Sequence, residues 1–268
     1  LEAAPQRLAA SGLGDVIAKP VSTADWLLNH VVFGEKYSDT IADIITAVEP
    51  RYMADPEALA KRDRTAIQGL FEALILSGAA MTLQGSSLPA SGGEHLVSHA
   101  LDMMSSLDGQ PHDLHGRQVG VATIISAALY LRLFSQDNPA WRENYAPFDP
   151  AFWGRIAPAV AKEHGQKRAK LEEVLSWVCS ASNWDRLRHR IAPILRSPES
   201  IKLCLRRAGA AHRLADIGCS RERFLSALRN CPAIRSRITI LDLAHLAGIL
   251  PAAADDLLPN CHKKIRNH

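Results

Sequence analysis

Alternation of apolar and polar residues with period two is almost absent from this 268-residue sequence, which leaves strands without support. Nowhere does a strand pattern lead through a glycine-rich turn into a helix, the unit that dinucleotide binding requires. Ser11-Gly12-Leu13-Gly14 follows a helical stretch and does not read as a phosphate loop. No apolar run reaches the length of a membrane span. The opening LEAAPQRLAAS lacks a basic region followed by an apolar one, so no signal peptide is evident. The five cysteines (Cys179, Cys204, Cys219, Cys231, Cys261) form no CxxC pair. They read as reduced, structural thiols, and a cytoplasmic location is expected. A net charge of +3 is too small to argue for nucleic acid. The basic clusters Arg186 to Arg190 and Arg206-Arg207 read as solvated helix faces.

What is present is helical. Apolar residues recur at three and four nearly everywhere, and an apolar share of 47% with 22% charged residues suits a globular chain able to bury a substantial core. The expected fold class is all-α. A first helix from Pro5 to Ala18 is expected to bend at Gly12 and Gly14 and to stop at Pro20. Ser22 then caps a second helix ending at Gly34. Ser38 to Val48 makes a third, and Asp55-Pro56 starts a short fourth. Arg64 to Leu83 reads as a long central helix, and Gly116 to Phe134 as a buried one. Residues 137–158 read as an irregular link with a short helix in it. Beyond Glu163 the helices are expected to be shorter and more charged: Lys167 to Ser180, Trp184 to Leu195, Ser197 to Ala208, Ser220 to Leu228 and Thr239 to Leu250. Residues 1–135 are expected to form a core carrying the site, with residues 136–268 packed on it as further helices of one structural domain.

The chain is organised around Ser91-Gly92-Gly93-Glu94-His95-Leu96-Val97-Ser98-His99, followed by Leu114-His115-Gly116. His95 and His99, four apart, face the same way on a helix. His115 follows a loop and opens the next helix. Imidazoles gathered where two helices meet suit a divalent metal, and histidines hydrogen-bonded within a core show the same spacing. The loop Gln84 to Gly93 reads either as a connector or as a place where backbone amides meet an anion at the helix start. The His112-Asp113 pair invites comparison with HD-type phosphohydrolases, but it follows Pro111 in a loop, whereas that chemistry wants the pair on a helix.

The segments SGGEHLVSHALDMM, LHGRQVGVATIISAALY, the opening RLAASGLGDVIAK and the late RITILDLA resemble the sn-glycerol-1-phosphate dehydrogenase branch. That branch belongs to the iron-containing alcohol dehydrogenase, glycerol dehydrogenase and dehydroquinate synthase superfamily. The resemblance runs from residue 1 to about 131 and returns near 235–250. It implies the C-terminal helical, metal-binding domain of that fold. It also implies a metal-dependent, NAD(P)-linked dehydrogenase of glycerol 1-phosphate or a similar polyol or alcohol. Asp15, His95 and His115 match the family's metal ligands, for Zn²⁺ or Fe²⁺. By the same resemblance His99 lies near the substrate as a proton-relay residue. Lys19 and Ser91 are candidates for the substrate's phosphate end, and Glu94 and Asp102 for orienting the histidines. Arg117 stands where the family has an acidic residue. No cofactor-binding residue is identified, and the chain opens without Met and without the family's N-terminal α/β nucleotide domain: either it is a fragment of a longer protein, or the protein lacks that half and needs it as a separate chain. The other expected partners are a small polyol phosphate or alcohol and, by resemblance, a second copy of the chain in a homo-oligomer. Neither nucleic acid nor membrane is expected. A dehydroquinate-synthase-like metal lyase, and a non-catalytic or partner-dependent helical domain, remain open alternatives.

Overall fold

The computed structural model describes residues 4–254 and 256–258, and no strand occurs among them. The helices, in order, are α1 (Gln6–Val16), α2 (Lys19–Phe33), α3 (Asp39–Thr46), α4 (Pro50–Met53), α5 (Pro56–Ala60), α6 (Arg64–Gln84), α7 (Gly93–Asp108) and α8 (His115–Phe134). They continue as α9 (Pro150–Trp153), α10 (Ala157–Val178), α11 (Ala181–Ile191), α12 (Pro198–Arg207), α13 (Arg221–Asn230) and α14 (Ile240–Leu246). Short 3₁₀ turns join several of them. Several starts follow the capping rule, in which a side-chain oxygen takes up an amide that the first turn leaves free. Asp55 accepts from the Ala58 amide at 3.1 Å, Ser220 from Arg223 at 3.1 Å, and Asp242 from Thr239 at 2.8 Å.

α8 is the axis of the fold. Val119, Val121, Ile125, Leu129, Tyr130 and Leu133 on it are all but inaccessible, and α1, α7, α12 and α14 pack around it. Packing is tightest against α1. A Cβ built at Gly14 would sit 2.0 Å from the Gly116 carbonyl oxygen, and one at Gly116 would sit 2.0 Å from the Ser11 carbonyl oxygen. Only glycine lets the two backbones approach this closely. The contact sets Asp15, next in sequence to Gly14, beside the first turn of α8, where His115 stands.

Several boundaries differ from the sequence expectation. α1 runs unbroken through Gly12 and Gly14, which serve helix contact instead of a bend. Pro20 does not stop a helix. It occupies the first turn of α2, where its missing N–H costs nothing, and Ser22 lies inside that helix. α6 is not central: Ile67, Leu70, Ala73 and Ala80 are buried, but Phe71, Ile75 and Leu83 are 49%, 56% and 61% exposed. By length and composition α6 is also apolar enough to cross a membrane, with mean hydropathy 1.5 over its best window, contrary to the expectation that no run is. Its inner face packs on α1, α3 and α4. α10 spans 22 residues, where a shorter helix was expected.

α10 carries Lys167, which is almost completely buried and lies 3.0 Å from both carboxylate oxygens of Asp242. One contiguous apolar core extends from Ala9 to Leu258 and includes Trp153, Trp184 and Phe224. Cys204 and Cys231 are buried free thiols, Cys179 and Cys219 are free nearer the surface, and Cys261 lies outside the described residues.

Candidate metal centre

Three helices bring the site together. α1 carries Asp15 in its last turn, α7 carries His95 in its first turn, and α8 begins at His115. Asp15, His95 and His115 each offer a ligand atom within 4.8 Å of the others. The His95 and His115 rings lie 5.3 Å apart. His95 Nε2 is 3.2 Å from Asp15 Oδ1, close to the edge of about 3.3 Å expected between two ligands of a tetrahedral ion with bonds near 2.0 Å. The other ring nitrogen, Nδ1, donates to Glu94 Oε1 at 2.7 Å. Nε2 therefore faces Asp15 either with a second proton or with a cation in that proton's place. A donor set of one carboxylate and two imidazoles fits Zn²⁺ or Fe²⁺.

The charge around these ligands is unusual. Burial pushes the Asp15 carboxyl up, but the Lys19 ammonium at 3.1 Å and the His95 ring outweigh it and hold it well below the ordinary range. Burial pushes His95 down, yet its bonds to Asp15 and Glu94 reverse that and raise it. Behind Glu94 stands Asp25, fully enclosed. It accepts from Tyr130 Oη at 2.6 Å, the Gly93 amide at 2.7 Å and the Ile240 amide at 2.8 Å. Burial first, and the neighbouring Glu94 charge second, raise it to about 7. Two carboxyls, Asp15 and Glu94, thus flank the one imidazole, with Asp25 behind Glu94 and Lys19 paired with Asp15. Glu94 Oε2 is buried with no hydrogen-bond partner among the described residues. Such a set favours a bound cation.

The other residues singled out from the sequence fall as follows. His99 stacks on His115 with ring centres 5.2 Å apart and lies 6.2 Å from His95. Burial and the two neighbouring imidazoles lower it to about 4, so it is neutral at pH 7. Lys19 is 3% exposed and is held by Asp15 and by the Ala90 carbonyl at 3.2 Å. Ser91 is buried in the turn before α7, where its carbonyl accepts from Arg237. Glu94 Oε1 accepts from His95 Nδ1 and also from the Gly92 amide at 2.8 Å. Asp102 sits at ion-pair distance from His112, 2.9 Å, and farther from His115 Nδ1, 4.0 Å. A second group, His99, Asp102 and His115, is also close enough to hold an ion. Asp113 is held by Arg7 and by Arg117, at 2.7 Å from the Arg117 Nε, so the His112-Asp113 pair is not open to a metal.

Sequence reasoning passed over Asp25, Ser98, Gln118 and Tyr130. Ser98 and Gln118 carried a signal, since each lies three residues after a histidine of the site and shares its helix face. Asp25 carried none, being 68 positions from the Gly93 amide it receives. Cavities of about 310 Å³ and 550 Å³ exist elsewhere, and neither is lined by His95 or His115.

The described helices form an all-helical domain in which one carboxylate and two imidazoles make a candidate cation site. No family model matches the chain. Curated relatives do. The chain is 41% identical over 130 residues to the glycerol-1-phosphate dehydrogenase (NAD(P)+) of Pyrococcus furiosus, covering 48% of this chain and 36% of that protein. It is 37% identical over 138 residues to the Bacillus subtilis protein of the same name, covering 52% and 35%. With the Halalkalibacterium halodurans protein of that name it shares 29% over 241 residues, which is 90% of this chain and 53% of the relative. The chain thus spans between about a third and a half of the length of these relatives. The match lies in their C-terminal region, as the resemblance in the sequence implied.

Proposed function

We propose that these helices are the metal-holding part of an NAD(P)-linked dehydrogenase acting on glycerol 1-phosphate or a closely similar polyol phosphate. The observation that carries the reading is the convergence of Asp15, His95 and His115 within 4.8 Å, in a chain whose similar proteins are named glycerol-1-phosphate dehydrogenases. Asp15, His95 and His115 would hold a Zn²⁺ or Fe²⁺ ion, which would supply Lewis-acid polarisation of the substrate's oxygen. The chain's own residues do the rest. Glu94 holds the His95 ring, and Lys19 holds the Asp15 carboxylate at 3.1 Å. His99, neutral and stacked on His115, is placed to take or give the hydroxyl proton. Lys19 is committed to Asp15 and Ala90, so its part in substrate binding is to set the turn before α7, and Ser91 stands in that same turn.

The described helices contain no strand–turn–helix unit for a dinucleotide, so the reading calls for a nucleotide-binding part besides them. Homo-oligomerisation and a cytoplasmic location belong to the same reading, the latter in keeping with the free thiols. Calorimetric titration tests the substrate class. Glycerol 1-phosphate is expected to bind the zinc-loaded protein more tightly than glycerol does, and to lose that binding in an Asp15→Asn, His95→Ala, His115→Ala variant. Equal binding by the triple variant contradicts the reading.

A further inference from the structure

His115 lacks the carboxylate partner that His95 has. Its Nδ1 lies 3.0 Å from the hydroxyl of Ser98, a residue with no exposed surface. That hydroxyl lies 2.9 Å from Gln118 Oε1, and Gln118 Nε2 donates to the Asp113 carbonyl at 3.0 Å. Asp113 is itself fixed, because its carboxylate accepts from the Leu114 amide and Arg117 Nε, both at 2.7 Å, and from Arg7. These bonds have one consistent direction. Rotating the Gln118 amide would set Oε1 against the Asp113 carbonyl, two acceptors with no hydrogen between them. Gln118 therefore presents Oε1 to Ser98. Ser98 has a single hydrogen, and Oε1 needs it. The Ser98 oxygen is left to accept from His115, so the ring carries its hydrogen on Nδ1 and its lone pair on Nε2.

We propose that Ser98 and Gln118 are positioning residues that lock His115 in the tautomer whose Nε2 is free to bind a divalent cation. The proposal rests on reading the site as a metal centre. The same bond occupies Nδ1, the ring atom 4.0 Å from Asp102, which commits His115 to Asp15 and His95 and not to the group with His99 and Asp102. It makes the polar pair next to His115, and not Asp102, the counterpart of Glu94 next to His95. Partners of this kind set ring orientation and ligand basicity and typically govern metal affinity about 10- to 100-fold.

Two readouts on ¹⁵N-labelled full chain test it: the His115 tautomer from long-range nitrogen–proton spectra of the metal-free protein at alkaline pH, and zinc affinity by chelator competition. The parent is expected to show His115 protonated on Nδ1. Gln118→Met keeps the volume and removes the acceptor, so Ser98 turns its hydrogen toward Nδ1 and the ring shifts to the Nε2–H form. Zinc affinity should then fall about 10- to 100-fold. Adding Ser98→Ala removes the misdirected donor, so the double variant should bind zinc more tightly than Gln118→Met alone, a sign of coupling that lost packing does not produce. A parent ring protonated on Nε2, or a double variant as weak as Gln118→Met or weaker, overturns the proposal. The tautomer of the parent decides it even where a variant fails to fold. A parent that binds no zinc sinks the metal reading, while its ring spectra still decide the lock.

Discussion

Two clusters of charge are buried in this protein, and they are built differently. In the C-terminal half Lys167 meets both oxygens of Asp242 at 3.0 Å and also donates to the Pro232 carbonyl at 2.6 Å. Asp242 in turn accepts from the Thr239 amide and hydroxyl at the start of α14. One cation matches one anion, and the pair ties α10 to α14. In the N-terminal half Asp15 and Glu94 flank His95, Lys19 pairs with Asp15, Asp25 stands behind Glu94, and Glu94 Oε2 has no partner among the described residues. The first cluster is complete and structural. The second leaves Glu94 Oε2 unmatched where three helices meet, and on the reading proposed above a divalent cation completes the cluster.

That contrast makes separable predictions. Lys167→Met leaves the Asp242 carboxylate buried without its cation. It should lower unfolding free energy by about 3–5 kcal/mol, measured by urea denaturation, with zinc stoichiometry unchanged in the protein that remains folded. A lone buried imidazole gives the next effect. His245 on α14 is 3% exposed, neither ring nitrogen has a partner among the described residues, and burial lowers it to about 4. Its folded value lies below the unfolded one, so the neutral ring contributes stability that is fully present above about pH 6.5. That contribution is lost as pH falls through about 4 and is worth on the order of 3 kcal/mol. His245→Leu should flatten stability over that interval, whereas an unchanged slope contradicts the assignment. Gly14→Ala forces α1 and α8 apart and should cost about 1–3 kcal/mol. It should also weaken zinc binding, because Asp15 and His115 move apart together. The smallest effect is expected for Glu94→Gln, which leaves the fold intact and should reduce zinc affinity about 10- to 100-fold. A Glu94→Gln protein with parental affinity would make the Glu94 carboxylate irrelevant to the metal.

How far the sequence announced this depends on the kind of signal. His95, His99 and His115 stood out by residue type and helical spacing, and Asp15 by resemblance alone. Residue type and spacing did not separate His99 from His95, which differ only in what surrounds them; the resemblance alone gave them different roles. Helix existence followed from periodicity, but boundaries moved where partners decide. Gly12 and Gly14 are compatible with a bend or with a close helix contact, and nothing local tells the two apart. Pro20 likewise can end a helix or open one. α6 reads as central because it is apolar all along, yet Phe71, Ile75 and Leu83 face outward. Asp25 and Tyr130, 105 positions apart, meet only in the folded chain.

The central claim is that the N-terminal cluster is a metal centre, and elemental analysis of the purified protein tests it most directly. The account predicts about one zinc or iron per chain, retained through gel filtration and lost in the Asp15→Asn, His95→Ala, His115→Ala variant. A parent protein that holds no metal after reconstitution with zinc or iron, or a triple variant that holds as much as the parent, contradicts it.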